Sequence, residues 1–100
     1  MTALRYEDRF TEDIARITTH LLKHDVVGIG DRLAAIFEAL SILARHPQIG
    51  RPVPDSRREL VIGRGPRGYV ALYRYDAAID EVTVHALRAQ RERGYGRGSD

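Results

Sequence analysis

The chain of 100 residues contains no cysteine, no tryptophan and one lysine. Without cysteine, neither a disulfide framework nor thiolate catalysis is possible, which fits a reducing compartment. No apolar run approaches the roughly 20 residues that a membrane-spanning helix needs. The segment from Met1 to Asp8 also lacks the apolar core of a secretory signal. We therefore expect a cytoplasmic protein with no membrane partner.

The scarcity of lysine makes arginine the source of almost all positive charge, and that charge is unevenly distributed. Residues 1–50 carry six basic and seven acidic side chains, whereas residues 51–100 carry ten arginines and seven acids. Guanidinium groups suit bidentate contact with phosphate or carboxylate. The arginine content of the second half therefore indicates an anionic partner. Codon bias in a GC-rich genome is the alternative explanation for the same composition.

The first half has the period of amphipathic helices. One apolar stripe predicts a helix from about Asp8 to Lys23 and consists of Phe10, Ile14, Ile17 and Leu21. A second stripe predicts a helix that ends near Arg45 and consists of Leu33, Ile36, Phe37, Leu40 and Leu43. Between them, Gly28 and Gly30 fit either a loop with Asp31 as N-cap or the first turns of a helix capped by Asp25. We expect a helical hairpin over about residues 8–45.

The apolar period changes from 3.6 to two residues after Pro54. Runs rich in β-branched and aromatic residues at 58–63, 69–75 and 81–87 are separated by glycine, proline or aspartate, which predicts an antiparallel meander over about 57–87. Leu4 to Tyr6 is a candidate fourth strand, and residues 88–100 form an arginine-rich tail. The sequence thus predicts a single α+β domain over residues 1–100, a helical hairpin packed on a twisted antiparallel sheet of three to four strands.

Side-chain alternation predicts the two faces of this sheet. The small aliphatic set is expected to pack on the helices and consists of Val70, Leu72, Val82, Val84 and Ala86. The open face then presents Tyr69, Tyr73, Tyr75, Thr83 and His85, surrounded by Arg58, Arg64, Arg67, Arg88 and Arg91. Aromatic rings among guanidinium groups can stack bases and neutralise phosphates, or bind an acidic peptide. A solvated sheet face without a partner is the alternative.

Other chemistry has little support in the sequence. His20 and His24 have a spacing that can bind zinc, but no third ligand completes a site. The glycines of residues 63–68 precede no helix that could hold a phosphate, and no serine has an adjacent base. We therefore expect no metal and no cofactor.

Three segments together carry a resemblance to a known family. They are the turn His46-Pro47-Gln48-Ile49-Gly50-Arg51-Pro52, the strand start Gly68-Tyr69-Val70 and the tail Arg88-Ala89-Gln90-Arg91-Glu92. In this order, after a helical hairpin, they resemble the RelE/ParE superfamily of toxins from type II toxin–antitoxin pairs. The resemblance extends from about Leu4 to Tyr95. It departs from the family at Ala89, where many relatives have histidine.

The resemblance implies a toxin that is wrapped by a cognate antitoxin, ParD-like or similar, whose carboxylates meet arginines of the toxin. The residues implied for antitoxin or target binding are Arg58, Arg64, Arg67, Tyr69, Tyr73, Arg74, Tyr75, Arg88, Arg91 and Tyr95. ParE-like members poison DNA gyrase, whereas RelE-like members cut messenger RNA on the ribosome.

The hairpin, the turn and the absence of lysine from the sheet favour the ParE-like activity, for which no catalytic residue is expected. A ribonuclease would instead use His85, Arg91 and Tyr95, with Glu92 as a further candidate for proton transfer. A binding module of the same fold without toxicity is a third reading.

Overall fold

The computed structural model describes residues 1–91 and has two helices packed on one face of a five-stranded mixed sheet. The helices are α1 (Asp8–His24) and α2 (Ile29–Ser41), and a 3-10 turn (Ile42–Ala44) extends α2. The strands are β1 (Ala3–Tyr6), β2 (Arg51–Val53), β3 (Arg57–Ile62), β4 (Tyr69–Asp76) and β5 (Glu81–Ala89), with a 3-10 turn (Gly65–Arg67) before β4. The predicted α+β class is confirmed. Neither helix of this part of the chain is long and apolar enough to cross a membrane.

The sheet order is β1-β5-β4-β3-β2. The meander β3-β4-β5 is antiparallel, as predicted, and β2 extends it by one short antiparallel strand. The candidate strand at the amino terminus is real, but it pairs in parallel with β5, with Leu4 opposite Val82. The sheet is therefore mixed rather than purely antiparallel.

The helical stripes face the core as predicted, with Ile14 and Leu33 only partly buried and Phe37 exposed. Phe10, Ile17 and Leu21 of α1 are buried, as are three residues of the α2 stripe, Ile36, Leu40 and Leu43. Phe37 is 43% exposed, because it lies at the margin of the helix layer, where its ring meets Phe10 edge to face. At the helix connection, Gly28 stands at the N-cap position and Gly30 lies within the first turn of α2, so neither Asp31 nor Asp25, which is the C-cap of α1, is the N-cap of α2.

The prediction for the faces of β4 is wrong. Tyr69, Ala71 and Tyr73 pack in the helix-side core, whereas Val70 and Leu72 lie on the opposite face. If Val70 and Leu72 had faced the helices, Arg74 and Asp76 would have faced them too. Burying these unpaired charges costs far more free energy than burying tyrosine. Tyrosine buries a large apolar ring and needs one partner for its hydroxyl.

A β-bulge in β5 changes the alternation once more. Tyr73 pairs with Val84 and Leu72 pairs with Ala86, so His85 is the extra residue. Val82 and Val84 are in the helix-side core, as predicted, but after the bulge Leu87 enters this core and Ala86 joins Val70 and Leu72 on the other face. A bulge inserts one residue and thereby reverses which side chains face the core.

Candidate functional site

Two of the predicted binding residues hold the His46–Pro52 turn instead of facing a partner. Tyr73 is fully buried, and its hydroxyl oxygen accepts the backbone N–H of Gly50 at 2.8 Å. The Arg58 guanidinium donates to the carbonyl oxygens of Gln48 and Gly50 at 3.0 and 2.7 Å. Burial raises the pKa of Tyr73, while the Gly50 N–H and the charge of Arg58 oppose that shift. Tyr73 is therefore a structural residue, and its assignment to an open binding face is wrong.

The glycine of this turn is required by close packing. A Cβ atom at Gly50 would lie 2.7 Å from the Glu59 carbonyl oxygen and 2.7 Å from the Tyr73 ring. Real side chains do not tolerate such a contact with a backbone atom, so the turn can approach β3 and β4 only through glycine.

Tyr75 also faces the helix side, and its hydroxyl joins a network at the β4–β5 turn. The Tyr75 hydroxyl donates to Oδ1 of Asp80 at 2.9 Å, and the Thr2 hydroxyl donates to the same oxygen at 2.7 Å. The two hydrogen bonds lower the pKa of Asp80, and the bond to Asp80 is the main cause of the raised pKa of Tyr75. Asp80 has a left-handed backbone with φ of 50°. The network thus ties the beginning of β1 to the turn.

The helix-free face of the sheet, which we call the open face, is a band of ion pairs around a small apolar centre. Val70, Leu72 and Ala86 form this centre and are buried. Arg51 and Glu59 pair at 2.8 Å, and Glu59 stands directly opposite Leu72 in the register. The predicted binding residues on this face are Arg74 and Arg88, and Thr83 stands opposite Arg74.

The arginines of the open face are already engaged within the chain. Arg74 donates to the carbonyl oxygen of Asp55 at 2.6 Å, and Arg88 donates to the carbonyl oxygens of Ala89 and Gln90 at 3.3 Å each. Arg74 keeps an exposed side chain, and Arg64 is exposed in the β3–β4 connection. This face therefore offers positive charge at its margins and little free apolar area.

His85 is not an exposed group of the open face. Its Nδ1 lies 2.7 Å from a carboxylate oxygen of Glu7, its side chain is 20% exposed, and its Nε2 is buried without a hydrogen-bond partner. The bulge places it at the junction between β5 and the beginning of α1. A ring held in this way cannot present either nitrogen to a large substrate.

Sequence reasoning missed Asp13, a buried carboxylate on the core-facing side of α1. Its Oδ2 accepts the backbone N–H of Leu87 at 2.9 Å, while Arg16 donates to the Leu87 carbonyl oxygen at 3.4 Å. Strand β1 pairs with β5 only as far as Val84, so α1 supplies the partners for the next stretch of this edge. The sequence did contain a signal for this role. Asp13 lies on the same helical stripe as Phe10 and Ile17, and a buried carboxylate on such a stripe needs a hydrogen-bond donor.

A cavity of about 670 Å³, which we call the basic pocket, opens between the helices and the end of β5. It brings together three predicted binding residues, Arg67, Tyr69 and Arg91, with residues of both helices and of the connection between them, none of which sequence reasoning selected for antitoxin or target binding. These are Arg16, Ile17, His20, Leu21, His24, Asp25 and Arg32, and Gly68 and Ala89 complete the lining. Tyr69 is buried in its floor, and Arg67 and Arg91 are exposed.

The predicted residues therefore separate into several locations. Arg67, Tyr69 and Arg91 line the basic pocket, Arg74 and Arg88 belong to the open face, and Tyr95 and Glu92 lie outside the described residues. Among residues 1–91, no group of three histidine or acidic side chains is placed to hold a metal ion.

Comparison with known proteins agrees with this architecture. Residues 4–94 match the family described as ParE toxin of type II toxin-antitoxin system, parDE. No curated protein matches the chain by sequence.

Several solved structures have a similar fold, including chains from three toxin–antitoxin systems. A chain of the chromosomal ParDE toxin–antitoxin system from P. aeruginosa superposes with a TM-score of 0.62 at 20% identity, over 89% of this chain and 96% of that one. A chain of the RelBE2 complex from Mycobacterium tuberculosis gives 0.58 at 19% identity, over 89% and 98%. A chain of the intact E. coli RelBE complex gives 0.57 at 15% identity, over 93% and 100%. The match over nearly the whole sequence shows that this chain belongs to the ParE toxin family of type II toxin–antitoxin systems.

Proposed function

We propose that this member of the family inhibits DNA gyrase in the cytoplasm and is neutralised by a cognate antitoxin. The observation that carries the proposal is the sequestration of His85, the only histidine in the sheet of residues 1–91. RNA cleavage through the 2′-hydroxyl needs a general base and a general acid next to positive charge. Arginine supplies the charge but is not a base, since its pKa exceeds about 12.

The Glu7 carboxylate could in principle orient His85 as a general base. Such a dyad works only if the second ring nitrogen reaches the substrate, and Nε2 of His85 is buried. The open face also carries the ion pairs Arg51 to Glu59 and Arg5 to Glu81, so its arginines are accompanied by carboxylates that would repel RNA phosphates. These features support a toxin that acts by binding rather than by cutting RNA.

The target is tested by two reactions with the purified chain. Gyrase supercoiling of relaxed plasmid should be inhibited, and the cognate antitoxin should restore it. A cell-free translation reaction with the same amount of toxin should proceed normally with intact messenger RNA. Cuts in ribosome-bound messenger RNA together with normal supercoiling would establish the RelE-like activity instead, and no effect in either reaction would favour a binding module without toxicity.

We propose that the antitoxin contacts the margin of the open face through carboxylates that meet Arg64, Arg74 and Arg88. Arg74 is the best probe, because its side chain is exposed and it lies near the end of β4, at the margin of this face. Reversing this charge puts like charges together, so Arg74→Glu should weaken the complex by roughly tenfold or more.

The matched control for this charge reversal is Arg45→Glu, since Arg45 is exposed directly after the 3-10 turn that extends α2 and belongs to no strand of the sheet. Both variants would be co-expressed with the product of the adjacent reading frame, and the affinity of each purified complex would be measured by calorimetry. Equal affinities for Arg74→Glu and Arg45→Glu would place the antitoxin elsewhere, while the supercoiling assay would still decide the target.

A further inference from the structure

The basic pocket collects arginines from four separate segments. Arg16 comes from α1, Arg32 from α2, Arg67 from the 3-10 turn before β4, and Arg91 from the residues after β5. His20 and His24 add two neighbouring imidazole rings from the last turns of α1, tilted by 35° with their centroids 4.4 Å apart. Positive charge thus surrounds one cavity from several sides instead of spreading along an outer surface.

The acid in this lining does not balance the charge. The carboxylate of Asp25 lies 3.0 Å from Nε of Arg32 and is the only acidic group of the pocket among the described residues. Arg67 and Arg91 have no ion-pair partner within residues 1–91. At least two cations are therefore available to an anionic ligand.

The hydrogen-bonding character of the lining selects among anions. Guanidinium groups only donate hydrogen bonds, and fully ionised phosphate oxygens only accept them. A peptide would also bring backbone N–H groups that need acceptors. The Asp25 carboxylate is already paired with Arg32, and the Ala89 carbonyl oxygen already accepts from Arg88. The imidazoles of His20 and His24 add acceptors only in their neutral form. This inventory favours a phosphate group over an acidic peptide.

The floor of the pocket is apolar and consists of Ile17, Leu21 and Tyr69. Apolar walls lower the local dielectric constant and strengthen the attraction between a bound anion and the arginines. The volume of about 670 Å³ lies within the range of about 300–1,000 Å³ typical of small-molecule sites. We propose that the basic pocket binds a phosphate group carried on an organic molecule, with Arg67 and Arg91 as its principal cationic contacts.

The proposal is tested by calorimetry on the full-length chain with inorganic pyrophosphate, AMP and a short oligothymidylate. We expect saturable binding of at least one of these probes. Arg67→Ala and Arg91→Ala should each weaken that binding by roughly tenfold, because each removes a charge-assisted hydrogen bond. Arg45→Ala is the control, since it removes the same charge from an exposed position outside the pocket and should leave the affinity unchanged.

The pattern of binding identifies the source of the phosphate. Binding of AMP with affinity that depends on Arg67 would indicate a small phosphorylated metabolite. Binding of oligothymidylate alone, with the same dependence on Arg67, would indicate a nucleic-acid backbone. Both results support the proposed site.

Three results would overturn the proposal. They are the absence of saturable binding by every phosphate probe, an equal loss of affinity in Arg45→Ala and Arg67→Ala, and tighter binding of an oligoglutamate peptide than of pyrophosphate. None of these results depends on gyrase or on an antitoxin, so the site can fail while the proposed toxin function stands, and the reverse. Circular dichroism melts would confirm that the variants, both at exposed positions, are folded.

Discussion

Removing a single hydroxyl group from Tyr73 should destabilise the protein measurably. In Tyr73→Phe the ring still fills its place in the core, but the buried N–H of Gly50 loses its acceptor at 2.8 Å. Leaving a buried donor unsatisfied costs about 1–3 kcal/mol. For a domain of this size, each kcal/mol corresponds to a decrease of roughly 4–8 °C in the melting temperature. The turn at residues 46–50 should loosen as a result.

Tyr69→Phe is the matched control for this experiment. Tyr69 is also in β4, also faces the helices and is 6% exposed, but its hydroxyl makes no hydrogen bond within residues 1–91. We expect Tyr69→Phe to stay within about 0.5 kcal/mol of the wild type, as most changes that break no specific interaction do. Gly50→Ala should destabilise the protein by about 1–3 kcal/mol or more, because the new methyl group meets backbone and ring atoms at 2.7 Å.

Urea unfolding followed by circular dichroism measures these free energies, with the slope of the transition as a check on two-state behaviour. Equal stabilities of Tyr73→Phe and Tyr69→Phe would refute the role of the hydroxyl. Tolerance of Gly50→Ala without loss of stability would show that the turn does not pack as closely as the structure indicates.

Asp13→Ala should lower the free energy of unfolding by about 1–3 kcal/mol, because the Leu87 N–H loses its acceptor. Urea unfolding would measure this loss, and Asp13→Asn, the milder change, should lose less stability than Asp13→Ala. Protonation of Asp80 should make the folded protein less stable in acid. Its lowered folded-state pKa stabilises the protein above the ordinary value of 3.8, and this stabilisation disappears as the pH falls through the folded-state pKa. Tyr75→Phe removes one cause of the lowered pKa and should flatten that acid limb in melts at several pH values; an unchanged limb would mean that other carboxylates cause it. His85→Ala should leave gyrase inhibition intact in the supercoiling assay. Loss of inhibition in a folded His85→Ala variant would show that His85 takes part in the toxin's activity.

The elements that the sequence predicted well are those with a single consistent period. The α1 stripe from Phe10 to Leu21 allows only one buried face, and His46-Pro47 ends the second helix region where expected, because proline cannot continue a helix. The three strands of the meander also follow from the change of period after Pro54.

The faces of the sheet were predicted poorly because both alternating series of β4 contain apolar side chains. Valine and leucine at 70 and 72 were placed against the helices because they are aliphatic. The charges at Arg74 and Asp76 on the same series are the stronger signal, since a buried unpaired charge outweighs two aliphatic contacts. The bulge at His85 left no comparable mark in the sequence, because it depends on how β4 and β5 align over their whole length.

Sequence alone determined the α+β class, the helical hairpin, the meander and the concentration of arginine in the second half, since these depend on local period, turn residues and composition. Tertiary structure alone decided which arginines act together. Arg67 and Arg91 are 24 positions apart in the chain and line one pocket with Arg16 and Arg32 of the helices, whereas Arg58 of the same arginine-rich half holds a turn. Side chains meet across elements only after strand register and helix packing are fixed, and both depend on contacts between residues distant in the sequence.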